Sequence, residues 1–205
     1  IHSKRKGGRI INLERTVEAL EVALPLITKT VQGGGEVLFV ATKAHLKNPV
    51  KDVALATGSP YVVERWFGGM LTNRATMLDR IKRLKMLEAK MENGEFASRY
   101  SKLEVQRLQE ELDGLEKQFG GIKEMKGLPS VAVIFDANSD MLAVNEASKM
   151  GVTVIAVCDS NVNPSNVDIV IPANDDATSG ITLIAKYFEE AVKAGQNEVK
   201  TEVEK

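Results

Sequence analysis

Apolar residues fall into two alternating patterns along this chain: short continuous runs, and longer stretches where they recur every three or four positions. The continuous runs are Glu36 to Ala41, Tyr61 to Val63, Val131 to Phe135, Val152 to Val157 and Asp168 to Ile171. Their length and content suit strands buried on both faces. Between the runs, Leu13, Val17, Leu20, Leu24 and Ile27 mark a first helix, which Asn12 can cap and Gly33-Gly34-Gly35 ends. Further helices are predicted from about Pro49 to Thr57 and from Asp140 to Met150, and a last amphipathic helix carries Ile181, Ile184, Tyr187, Phe188 and Val192. Strands alternating with helices predict a parallel sheet. Five strands in this layout suggest an α/β fold with a flavodoxin-like doubly wound sheet of order 2-1-3-4-5.

Residues 74–122 break this rhythm. Met77, Leu84 and Met91 repeat every seven positions, with Ile81 and Leu87 on the same stripe, until Asn93-Gly94 interrupts them. A second helix starts near Ser101, whose spacing to Glu104 is that of a capping box. Its residues Leu108, Leu112, Leu115, Phe119 and Ile122 step by four and three, the seam of a coiled coil. An antiparallel coiled-coil hairpin inserted into the sheet domain is expected. The domain plan is therefore 1–73 with 123–195 for the discontinuous sheet domain, 74–122 for the hairpin, and a charged, fraying tail over 196–205.

Composition narrows the function classes. With 205 residues, 43% hydrophobic content and 27% charged residues, the chain can bury a sizeable core. A net charge of -1 gives no whole-chain signal for nucleic acid, so such binding must rest on local basic clusters. The arm Lys4, Arg5, Lys6 and Arg9, loosened by Gly7 and Gly8, is one. The single cysteine, Cys158, rules out a disulfide framework and reads as a buried, reduced thiol suited to the cytoplasm. No apolar run approaches the roughly 20 residues that span a bilayer. The chain opens at Ile1 without a Met, and residues preceding it are expected.

The stretch most suited to contact is Arg65-Trp66-Phe67-Gly68-Gly69-Met70-Leu71-Thr72-Asn73, between the second strand and the hairpin. Arg65 is a permanent planar donor, Trp66 is the only Trp, and Thr72 or Asn73 can cap the next helix. Trp66 suits either stacking on an unpaired base or anchoring the hairpin root. In a doubly wound sheet the ligand crevice lies at the carboxyl ends of the strands, here carrying Thr42-Lys43, Arg65, Asp136, Asp159 and Asn174-Asp175-Asp176. An enzyme reading would place a phosphorylated ligand on Lys43 with Asp136 and Asp159 as a magnesium or acid-base pair; the competing reading makes the aspartates helix caps. Gly33 to Gly35 precedes a strand and cannot cradle a pyrophosphate, and His2 and His45 have no ligand spacing, so neither cofactor nor metal is expected.

The Arg65 to Asn73 segment resembles the most recognisable stretch of the bacterial family of small-subunit ribosomal protein two. So do Ile10 to Thr16, Leu38 to Lys43, Phe119 to Lys123, Glu146 with Gly151, and Ile171 to Ala177. The resemblance implies a structural, non-catalytic part of the small ribosomal subunit, cytoplasmic, near the junction of head and body, with ribosomal RNA and neighbouring ribosomal proteins as partners. It also implies help in recruiting the large messenger-binding protein of that subunit. By position it assigns RNA contacts to Lys43, Arg65, Trp66, Asn73 and Arg74; charge alone adds Lys4, Arg5, Lys6 and Arg9. Two stretches depart from the family pattern: Ala137-Asn138-Ser139-Asp140 follows Asp136, and Thr178-Ser179-Gly180 stands where basic residues are usual.

Overall fold

The computed structural model describes residues 3–5, 8–159 and 163–203, with side chains described for 11–96, 98–159 and 163–199. In chain order the elements are β1 (Ser3–Arg5), β2 (Gly8–Ile10), α1 (Leu13–Gln32), β3 (Val37–Val40), α2 (Lys47–Thr57) and β4 (Tyr61–Val62). There follow α3 (Arg74–Glu92), α4 (Glu95–Arg99), α5 (Lys102–Phe119) and a short 3-10 turn over Gly120–Ile122. The chain closes with β5 (Val131–Ile134), α6 (Met141–Lys149), β6 (Thr153–Cys158), β7 (Ile169–Pro172) and α7 (Thr178–Val203).

The main sheet has five strands, all parallel, in the order β4-β3-β5-β6-β7, which is the predicted order. Successive residues of a strand point to opposite faces, so each apolar run feeds two cores. Val37, Phe39, Val131, Val133, Phe135, Ile155 and Val157 face one side, where α1, α2 and α7 pack. Leu38, Val40, Ala132, Ile134, Val154 and Ala156 face the other, toward α6 and the helices of the insertion. Continuous runs without polar alternation are the mark of a sheet covered on both sides. Phe135 links the first core across the sheet, tilted against Phe39 at 6.3 Å and edge-on to Phe188 of α7 at 6.0 Å.

The insertion's two long helices pack against each other through buried Leu84, Leu87, Leu112 and Leu115, and this seam is continuous with the core under the sheet. Arg83 bonds both Glu111 oxygens through one guanidinium edge, Nε and Nη2, and Lys90 bonds the Tyr100 hydroxyl, an order of pairing that belongs to antiparallel helices. Ser101 and Glu104 form the predicted capping box. One expectation changes. The turn between the helices holds an extra short helix, α4, whose Phe96 is buried, while Met91 of the predicted stripe is exposed. Helix α7 also extends past Gly195 to Val203, with Gly195 against α1 and the Gln196 amide bonding the Thr57 carbonyl at 2.6 Å.

Candidate functional site

At the carboxyl ends of β3, β5 and β7, Lys43 projects into a ring of acids. Its Nζ lies 2.8 Å from Asp176, 3.3 Å from Asp175 and 3.5 Å from Asp136. Partial burial opposes its charge, but the Asp176 hydrogen bond and the fields of Asp136 and Asp175 outweigh that and raise its pKa. Asp136 is buried and also accepts from the Asn138 and Ser139 amides and the Ser139 hydroxyl. It therefore closes the turn before α6, as a capping carboxylate does. Asp140, at the N-cap of α6, does not cap: its two oxygens take the Thr42 amide at 3.1 Å and the Thr42 hydroxyl at 2.7 Å. His45 bonds the Asp175 carbonyl at 2.9 Å. The crevice is thus closed by its own charges. No group of three or more acids, His or Cys is placed to hold a metal among the described residues.

The loop after β4 is built differently. A carboxylate from another element, Glu146 of α6, reaches under it and collects its donors. Glu146 Oε1 accepts from the Gly69 amide at 2.7 Å and from Trp66 Nε1 at 3.3 Å. Its Oε2 accepts from the Leu71 and Thr72 amides at 3.0 and 3.2 Å and from the Thr72 hydroxyl at 3.1 Å. Burial disfavours the ionised form, yet these bonds together hold its pKa below the usual value. Gly69 supplies the backbone that the turn needs, with φ at 93°, a region where L side chains are strained. Trp66 is 7% exposed and Met70 and Leu71 are buried beside it, so the loop is pinned from below by apolar side chains and by one anion.

What this loop shows to solvent is basic and polar. Arg65 is exposed, with its guanidinium 5.7 Å from the centre of the Phe67 ring, and Phe67 leans on Phe119 at 5.9 Å. The adjacent acid, Glu64, is taken by Lys47 at 2.9 Å and Lys117 at 3.7 Å. Arg65 and Arg74 make no ion pair among the described residues. Asn73 occupies the N-cap of α3 without a side-chain bond to the helix, leaving its amide exposed. The neighbouring Phe119-Gly120-Gly121 segment seats against β4, where a Cβ on Gly121 would lie 2.2 Å from the Tyr61 carbonyl oxygen.

Of the site residues read from sequence, Arg65, Asn73 and Arg74 therefore share one loop and helix start, while Lys43 is engaged by acids in the crevice and Trp66 is turned inward. In the N-terminal arm, β1 and β2 pair antiparallel with Lys4 opposite Arg9 and Arg5 opposite Gly8. Lys6 lies outside the described residues, as do the side chains of Lys4, Arg5 and Arg9. Sequence reasoning missed the role of Glu146. Its signal was present: a carboxylate beside the buried stripe Ala143, Val144 and Ala147, in a chain with a donor-rich glycine loop that lacked an acceptor.

The chain matches the family model described as Ribosomal protein S2 over residues 1–195. The chain belongs to the ribosomal protein S2 family. It is 44% identical over 186 residues to the small ribosomal subunit protein uS2 of Francisella philomiragia subsp. philomiragia, covering 91% of this chain and 77% of that protein. The uS2 protein of Francisella tularensis subsp. novicida gives the same identity and coverage. That of Bifidobacterium animalis subsp. lactis is 44% identical over 195 residues, 95% of this chain and 64% of its own length. The family is one of structural ribosomal proteins and not of enzymes, which sets aside the enzyme reading built on Lys43, Asp136 and Asp159. No described helix is long and apolar enough to cross a membrane.

Proposed function

We propose that this protein is a structural constituent of the small ribosomal subunit that contacts ribosomal RNA through the loop after β4 and the start of α3. The observation that carries the RNA contact is the loop itself: Arg65 and Asn73 are exposed and Arg74 half-exposed beside a backbone fixed by a buried carboxylate, and the nearest acid in sequence, Glu64, is neutralised by lysines. Arginine without a carboxylate partner is free to take a phosphate on its planar edge. The N-terminal arm adds Lys4, Arg5, Lys6 and Arg9, with Lys4 and Arg9 opposite each other in the β1 and β2 register. Lys43 meets a phosphate only by leaving three carboxylates, so its part in binding is secondary. Trp66 acts as the anchor that seats the loop.

Ribosomal proteins are the other partners, and the large messenger-binding protein of the small subunit is proposed among them. The helical segment 74–122, whose outer faces are charged, is the element proposed to meet such neighbours. The test is sedimentation of tagged protein from lysate through a sucrose gradient, with and without ribonuclease. Comigration with the small subunit that ribonuclease abolishes supports the reading. Protein that stays at the top in both conditions sinks it.

A further inference from the structure

The Glu146 carboxylate is an anion held where an RNA-binding loop could have held a phosphate. Successive backbone amides in a turn form a concave donor surface that suits an anion, and here the amides of Gly69, Leu71 and Thr72, the Thr72 hydroxyl and the Trp66 ring nitrogen all converge on one side chain. These donors are therefore unavailable to an external phosphate. They hold the loop in one shape while its charged side chains point elsewhere. The carboxylate is buried and ionised, so leaving any of those bonds unmade is costly, and the loop has few alternative conformations in which all are satisfied.

We infer that Glu146 is the positioning residue of the RNA-facing loop: an internal carboxylate that occupies the loop's own anion cradle and so fixes Arg65, Asn73 and Arg74 before RNA arrives. This deepens the proposed function and rests on it. Preorganisation removes the ordering cost that a flexible basic loop would meet on binding. It also joins the sheet domain to the insertion, because Glu146 belongs to α6 whereas Thr72 and Asn73 lead directly into α3. A sequence carrying the same arginines on a loop without this acceptor would offer equal charge and weaker, less selective binding.

The test compares Glu146→Ala and Glu146→Gln with the unaltered protein and with Gly195→Ala, which loosens the distant α1 and α7 packing. Three readouts are taken on the full chain: fluorescence of Trp66, the only Trp, hydrogen exchange of the Gly69, Leu71 and Thr72 amides, and retention in reconstituted small subunits under rising salt. The expected result for Glu146→Ala is exchange at those amides faster by at least tenfold, altered Trp66 emission, and at least tenfold weaker retention. Acetate or formate, entering the vacated cradle, should restore part of all three; neither should help Gly195→Ala. Arg65→Ala should weaken retention while leaving the amides protected, and combining it with Glu146→Gln should lose less than the two single losses added together, the remainder coming from Asn73 and Arg74. Unchanged amide protection in both Glu146 variants, or loss of retention that carboxylate does not rescue and that matches the loss in Gly195→Ala, overturns the inference. Should Glu146→Ala fail to fold, Glu146→Gln carries the exchange and double-variant arms alone: strictly additive losses with Arg65→Ala then overturn it. If Arg65→Ala alone leaves retention unchanged, the RNA-facing reading of the loop fails first.

Discussion

Two buried carboxylates on either side of the first turn of α6 show how environment divides one residue chemistry into two roles. Glu146 meets its donors and stays ionised, its pKa lowered although burial pushes the other way. Asp140 is buried with only Thr42 to help it and with Asp136 as a like charge nearby, and its pKa rises to about 6. Its unfolded value is 3.8, so between these two values the native protein holds a proton that the unfolded chain has released. Stability contributed by Asp140 should therefore fall as pH rises from about 4 to about 6, by up to about 3 kcal/mol. Urea unfolding of the unaltered protein and of Asp140→Asn at both ends of that window checks it: the stability of the unaltered protein relative to Asp140→Asn should fall as pH rises, and parallel pH profiles or a relative gain would refute the assignment. Cys158, by contrast, matches its sequence reading. Burial first, and the Asp136 charge second, push its thiol up to about 11, which keeps it unreactive in the fold.

Among the elements, the insertion was the most legible in outline and the least in detail. Its spacing placed helices here, and Leu84, Leu87, Leu112 and Leu115 are buried, though in one core with a face of the sheet and not in the seam of a separate coiled coil. What periodicity could not reveal was α4 or the exposure of Met91, since both depend on how the chain turns between the helices. The seam, and not the surface charge, should carry the stability. Leu112→Ala should cost about 2 to 5 kcal/mol by leaving a cavity. Arg83→Ala should cost under about 1 kcal/mol, because Arg83 and Glu111 are 39% and 41% exposed and water screens the pair. Thermal or urea unfolding of the two variants ranks them, and a larger loss for Arg83→Ala would contradict the ordering. On the other side of the sheet, Gly195 lies where a Cβ would sit 2.7 Å from the Thr28 carbonyl oxygen and 2.8 Å from Val31. Alanine is the better helix former, yet overpacking against backbone outweighs that gain, so Gly195→Ala should destabilise by about 1 to 3 kcal/mol. A raised midpoint in the same unfolding assay would show that α1 and α7 separate more easily than this contact implies.

For the whole molecule, a net charge of -1 means that affinity for RNA comes from where the charges stand. Cations paired inside the protein release few counterions from RNA; unpaired ones release more. Removing Arg65 should therefore lower the slope of log affinity against log salt by about 1, whereas Lys43→Met should leave the slope nearly unchanged while weakening the crevice. Salt titrations of RNA binding on both variants test this, and equal slope changes would return Lys43 to the interface. By itself the sequence determined the strand runs, their parallel order, the helices between them and the family, because hydrophobic period and turn chemistry are local and a parallel sheet leaves few ways to arrange them. Only the tertiary structure decided which charges are free. That Lys43 is consumed by Asp136, Asp175 and Asp176, that Trp66 faces inward, and that Glu146 fills the cradle of a loop far from it in sequence all depend on contacts between elements distant along the chain. A charge's availability is set by its neighbours in space, and no spacing rule along the sequence encodes them.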